Sequence, residues 1–187
     1  MKKIPDNATL VFKGVLHDVY HWDQEMFDGT TATFEAIRRR DAVVVVAVVD
    51  SKIILNHEEQ PGMDLFITLP GGNSETSDFM EDAKRELLEE TGYASDAWVR
   101  WFTVDILDYH KMEWNNNFFI ARNCKKIAEL DLENGEKIVT QLITFEEFLE
   151  LRHNPDFRNK DLLHVLEKAA ENEEERQKLK ELLGITN

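Results

Sequence analysis

The sequence predicts an α/β (α+β) chain, a mixed sheet with helices packed against it, preceded by a small antiparallel strand unit. Three observations predict it. Ala42–Val49 is almost continuous valine, and a run so β-branched and so short reads as a strand buried on both faces. Asp78–Thr91 carries apolar residues at helical spacing and lies between strand-like segments. From Phe145 onward the pattern turns helical, so strands lead, flank and then give way to helices.

Taken in order, Thr9 to Arg39 reads as extended pieces, with partial apolar alternation over Val11–Tyr20 and a turn at Asp28-Gly29 before Thr30–Arg40. Ser51-Lys52 is a tight connection into Ile53–His57. Pro61-Gly62 breaks that strand, and Leu65–Leu69 is another short one. Pro70-Gly71-Gly72 opens a loop into the helix Asp78–Thr91, and Gly92 stands where a C′ glycine belongs. Asp78, with Glu81 as its box partner, or Ser77 caps the start. Trp98–Leu107, Asn116–Ala121 and Lys137–Thr144 follow as strands, then Phe145–Arg152, Lys160–Asn172 and Glu173–Leu183 as helices. Glu171–Lys180 is highly charged, so the last helix reads as solvated, with little apolar face in Leu179, Leu182 and Leu183.

A chain of 187 residues fits one domain, and 42% apolar residues can bury a sizeable core. The net charge of −15 argues against non-specific binding to nucleic acid or an anionic membrane. It leaves room for a small anionic substrate, because metal ions invert the local field. One cysteine, Cys124, permits no intramolecular disulfide and suggests a reducing, cytoplasmic setting. No apolar run reaches 18 residues, and Met1-Lys-Lys-Ile-Pro5 lacks the apolar stretch of a signal peptide.

The helix Asp78–Thr91 has an ordinary core stripe in Phe79, Ala83 and Leu87. Its other face gathers Asp82, Glu86 and Glu90 on one i, i+4 ridge, with Glu89 beside it. Like charges at that spacing repel by a few tenths of a kcal/mol per pair, roughly. Acids near a helix C-terminus are also opposed by the macrodipole. Arg85 can pair with Glu89 and relieves part of this. Hard divalent cations would remove the rest, since Mg²⁺ prefers carboxylate oxygens. A solvated acidic face is the bland alternative. The permissive loop Pro70-Gly71-Gly72 beside the helix favours a metal or phosphate site.

Gly71-Gly72 followed by Arg85-Glu86-Leu87-Leu88-Glu89-Glu90-Thr91-Gly92-Tyr93 resembles the Nudix box, G-x5-E-x7-R-E-U-x-E-E-x-G-U. Every fixed position of the second half matches except the last, where Tyr93 replaces an aliphatic residue. The first half departs. The box glutamate falls on Ser77 counted back from Arg85 and on Asp78 counted forward from Gly72, because the loop is one residue short. Asp78 or Glu75 is the stand-in.

This resemblance implies an α/β/α sandwich and a diphosphate hydrolase using Mg²⁺ or Mn²⁺. It implies Glu86, Glu89 and Glu90 as metal ligands together with the Gly71 carbonyl, and Arg85 as the residue orienting them. Phe34–Val49, Ile54-Leu55 and Glu59-Gln60 are similar to ADP-ribose pyrophosphatases. Residues 1–40 would then form a strand unit that pairs two copies into a homodimer, ahead of a catalytic domain over 41–187. The usual Gln-Tyr-Arg reads Gln60-Pro61-Gly62 here, so a basic substrate contact is missing. That subgroup also uses a late-loop acid as base or extra ligand, for which Glu136 and Glu133 are candidates, a solvated turn at Asn134-Gly135 being the alternative.

The expected reaction splits ADP-ribose or an ADP-sugar into AMP and a sugar phosphate. Hydrolysis of modified nucleoside triphosphates or dinucleoside polyphosphates, or non-catalytic nucleotide binding, stays open. Gly72, Trp22 and Glu35 are candidate substrate contacts, though Trp22 with Tyr20 and Phe27 also suits interface packing. Trp98 and Trp101 read as core or dimer contacts, and Cys124 as a buried small residue. His110 and Glu113 fall near the expected pocket.

Overall fold

The computed structural model describes residues 4–105, 111–132 and 134–185. Three strands open the chain, β1 (Thr9–Lys13), β2 (His17–Glu25) and β3 (Thr31–Arg39), paired antiparallel in that order. The alternation across Val11–Tyr20 is therefore split. The Gly14 N–H donates to the His17 carbonyl at 3.0 Å and turns the chain between β1 and β2. Asp28-Gly29 does turn β2 into β3, with Asp28 Oδ1 accepting from both the N–H and the hydroxyl of Thr30.

β4 (Ala42–Val49) explains the valine run. Val44, Val46 and Val48 enter one core, while Val43, Val45 and Ala47 enter another on the opposite face. Both faces are dry, so no polar residue interrupts the strand. Asp50 and Ser51 both take positive φ, 47° and 62°, the two-residue turn that suits right-handed strand twist. They lead into β5 (Lys52–Glu59) and β6 (Phe66–Thr68), which pair with each other. The expected loop at Pro70-Gly71-Gly72 is in part a strand, β7 (Gly71–Asn73), laid antiparallel on β4.

Next come α1 (Phe79–Thr91), β8 (Tyr93–Ala94), β9 (Ala97–Asp105), β10 (Met112–Glu113), β11 (Asn115–Arg122), β12 (Lys125–Lys126) and β13 (Lys137–Ile143). The C-terminal end of the expected strand Trp98–Leu107 lies outside the described residues. The main sheet runs β13-β5-β4-β11-β9 and is mixed, because β11 is parallel to β4 and antiparallel to β9. β10 joins the N-terminal sheet parallel to β3, and β12 pairs with β8.

α1 covers one face, packing Ala83 and Leu87 with Val43, Val45 and Phe119. Asp78 caps it, accepting from the Met80 and Glu81 N–H groups, and Gly92 ends it at φ 72°. The opposite face carries α2 (Phe145–Glu150), α3 (Leu163–Glu171) and α4 (Glu173–Leu183). Short 3₁₀ turns at Leu151–His153 and Lys160–Leu162 link them, so the helices expected from Lys160 and up to Arg152 are shorter than the pattern suggests.

The reading of α4 as a solvated helix is corrected. Leu179 and Leu183 are 4% and 0% exposed and belong to the larger core. They stand four residues apart, one above the other, so two leucines suffice to seat a helix whose remaining face is charged. Arg122 Nε adds a bond to the Leu182 carbonyl at 2.9 Å. Cys124 is buried, as expected. Among the described residues no helix is long and apolar enough to cross a membrane.

Candidate metal centre

β4 holds β7 flat against it, and α1 runs alongside, so the Gly-Gly backbone faces the acidic ridge of the helix. Gly71 has φ 154°, and a Cβ there would stand 2.1 Å from the Val43 carbonyl oxygen. At Gly72 a Cβ would meet the Glu86 carboxylate at 2.6–2.7 Å. Both positions need glycine, the first for the backbone and the second for the acid.

Glu90 is 6% exposed, and its Oε2 accepts from Asn56 Nδ2 at 2.9 Å and from the Gly71 N–H at 3.1 Å. Among the described residues it has no basic partner. Burial pushes its carboxyl well above the usual range, and the charges of Glu86, Glu58 and Glu136 add to this against the Gly71 bond. Glu86 is pushed up to about 7, chiefly by burial, with Arg85 opposing and Glu89 and Glu136 reinforcing. Arg85 donates from Nη2 to Glu86 at 2.7 Å and from Nη1 to Glu89 at 2.6 Å, so it bridges two acids of the helix.

Glu86, Glu89, Glu90 and Glu136 line one cavity of about 250 Å³ together with Gly71 and Glu75. Glu136 also faces an adjoining cavity of about 400 Å³, which Glu58, Gln60, Trp114, Arg39 and Arg158 help to line. The other late-loop candidate, Glu133, lies outside the described residues, as does His110.

The donors are all hard oxygens, which suit Mg²⁺ or Mn²⁺. They surround the cavity without closing on one point: among the described residues no three His, Cys, Asp or Glu groups stand close enough to hold an ion. Mutual repulsion keeps the carboxylates apart, and Arg85 draws two of them toward itself. Buried acids with so little compensating charge are a set that a divalent cation would stabilise.

Asp82 departs from the ridge reading. It is 2% exposed, and its Oδ2 accepts from the Ser74 hydroxyl and from the Thr76 N–H and hydroxyl, both at 3.1 Å. Those bonds hold its carboxyl below the usual range against the opposing effect of burial. Asp82 thus anchors the loop between β7 and α1 and does not line the cavity. Of the stand-ins for the box glutamate, Asp78 is occupied as the helix cap, while Glu75 lines the cavity.

Trp22 and Glu35 sit together in the N-terminal sheet, away from both cavities of this chain. Trp22 leans on Phe34, with ring centroids 5.9 Å apart, and Glu35 bonds His21 at 2.8 Å. Glu113 pairs with Arg38 at 2.8 Å. The structure adds residues that sequence reasoning missed: Asn56, Glu58, Arg39, Asn73, Trp114 and Arg158. Only Arg39, inside the visible run Arg38-Arg39-Arg40, left any signal.

No family model matches the chain. It is 35% identical over 145 residues to the ADP-ribose pyrophosphatase of Bacillus subtilis (strain 168), an alignment spanning 75% of this chain and 78% of that protein. Among solved structures it resembles an ADP compounds hydrolase at TM-score 0.72 and 20% identity, over 97% of this chain and 95% of that one, a likeness of fold.

Proposed function

The chain belongs to the ADP-ribose pyrophosphatase family of Nudix hydrolases, and from that premise we propose that it cleaves ADP-ribose or an ADP-sugar into AMP and a sugar phosphate with Mg²⁺ or Mn²⁺. The observation that carries the reading is the pair Glu86 and Glu90. Glu90 is buried and Glu86 half-buried, both beside a glycine strand, and neither is fully compensated by protein cations.

When bound, the divalent ions would neutralise the diphosphate and activate a water. Glu86 and Glu90 would hold them, with Glu89 alongside and the Gly71 carbonyl as a backbone ligand. Arg85 pairs with Glu86 and Glu89 and would set their orientation beside the cavity. Glu136, which borders both cavities, would take the proton from the attacking water on a carboxylate oxygen. Asn56 and the Gly71 N–H fix the orientation of Glu90. The reaction then needs positioning more than covalent chemistry from the protein.

We also propose that residues 1–40 form the unit that pairs two copies. Phe12, Val15 and Phe27 are exposed on it, Val15 at 87%, an unusual amount of apolar surface for a small sheet. A monomeric mass at micromolar concentration would count against this.

The test of the activity is a panel of ADP-ribose, ADP-sugars, nucleoside triphosphates and dinucleoside polyphosphates with Mg²⁺ or Mn²⁺, scored for AMP. Turnover of none of them, with tight binding of one, would leave a nucleotide-binding module in place of the enzyme.

A further inference from the structure

The larger cavity shares Gly71, Gly72, Glu90 and Glu136 with the acid-lined one, so a ligand reaching across both meets these acids. The larger cavity is also lined by two arginines. Arg39, at the end of β3, lies over the Trp114 indole with its Cζ 3.8 Å from the ring centroid, and its Nη2 donates to Asn73 Oδ1 at 3.2 Å. Arg158 lies over the Phe66 ring at 4.3 Å. Its segment is pinned to the sheet, because the Arg158 N–H donates to the Ile67 carbonyl at 2.8 Å and Asn159 Oδ1 accepts from the Leu69 N–H at 2.8 Å.

Among the described residues neither guanidinium has a carboxylate within 4.0 Å. The neighbouring Arg38 and the ridge residue Arg85 are by contrast both paired with acids. A guanidinium held over an aromatic ring can still offer N–H groups for hydrogen bonds, and its N–H edge matches phosphate. Burial also lowers the pKa of Arg39, and an anion beside it would favour the charged form. The Trp114 indole N–H in the same wall is buried without an acceptor.

We propose that Arg39 and Arg158 form an anion clamp that grips the diphosphate oxygens turned away from the glutamates. The clamp rests on the diphosphatase reading above. It supplies, from β3 and from the segment before α3, the basic contact that Gln60-Pro61-Gly62 does not carry. The clamp selects substrates with two adjacent phosphoryl groups over monophosphates.

The test measures binding and turnover separately. Calorimetry with Mg²⁺ titrates inorganic pyrophosphate and α,β-methylene-ADP into the wild type, Arg39→Ala, Arg158→Ala and Arg158→Lys. Each alanine variant is expected to weaken both ligands about tenfold to a hundredfold, the range for charge-assisted bonds, with Arg158→Lys recovering part. KM for the cleaved substrate should rise by more than kcat falls. Wild-type affinity for both ligands in Arg39→Ala and Arg158→Ala overturns the clamp. Arg158 is exposed, so its alanine variant folds regardless of what happens to Arg39→Ala. A wild type that turns over no diphosphate, yet binds pyrophosphate and loses it in the variants, refutes the proposed activity and leaves the clamp standing.

Discussion

Asp82 on α1 accepts from both the backbone N–H and the hydroxyl of Thr76, each at 3.1 Å, so the helix that carries Glu86 and Glu90 also holds the loop leading into it. Ser77 stands where the quoted pattern has its first glutamate, and an acid on the helix ties the loop down.

Replacing Asp82 by alanine should therefore destabilise the fold by about 1–3 kcal/mol, because the Ser74 and Thr76 donors lose their acceptor in a buried site. Urea unfolding of Asp82→Ala and Asp82→Asn measures it. The folded-state pKa of Asp82 is lowered, so its contribution is present above the ordinary carboxylate range and is lost as pH falls through the folded value. The gap between wild type and Asp82→Asn should hold at neutral pH and close below about pH 4. A gap that stays constant down to the acid limit would show that the carboxylate charge is not what anchors the loop.

The two glycines of β7 should fail in different ways. Gly71→Ala drives a Cβ into the Val43 carbonyl, and backbone cannot retreat, so stability falls sharply. Gly72→Ala meets only the end of the Glu86 side chain, which can swing aside at modest cost. Thermal unfolding should separate the variants, with Gly71→Ala well below Gly72→Ala. Calorimetric titration with Mn²⁺ should show Gly72→Ala weakened through the displaced Glu86.

How much of this was legible depends on whether the signal is local. The valine run of β4 and the block Arg85–Gly92 announce themselves because their information lies within one element. Asp82 was read with its ridge neighbours because helical spacing cannot say that Ser74 and Thr76 fold back onto it. Arg158 comes from a segment with no pattern of its own and reaches the site only through its bond to Ile67. β10 and β7 are two and three residues long, too short for any period, and exist because β3 and β4 offer them an edge.

Glu86 and Glu90 should set function against stability. An acid whose folded pKa is raised destabilises the fold as pH climbs through its unfolded value, and the cost is complete above the folded one. For Glu86, at about 7 against an ordinary 4.5, that cost is on the order of 2–3 kcal/mol above pH 7. Without divalent metal, Glu86→Gln should melt higher than wild type at pH 8 and at the same temperature at pH 4. Added Mg²⁺ should raise the wild-type melting temperature and leave Glu86→Gln unmoved, while turnover of the variant drops at least a hundredfold. Undiminished turnover would remove Glu86 from the metal site.

Leu183 tests whether α4 belongs to the fold or merely trails from it. Its side chain is fully buried in the core that also holds Phe148, Leu166 and Leu179, while the rest of α4 faces solvent with charge. Leu183→Ala opens a cavity that the sheet on one side and α3 on the other limit from collapsing, so about 2–5 kcal/mol of stability should go. Removing residues 173–187 should cost more, because α4 packs on β11 and α3, and Phe118, Ile120 and Leu166 of those elements share its core. α4 contributes nothing to either cavity of the site, so activity at low temperature should survive Leu183→Ala while its melting temperature falls. An unchanged melting temperature would return α4 to the solvated terminal helix that its composition suggests.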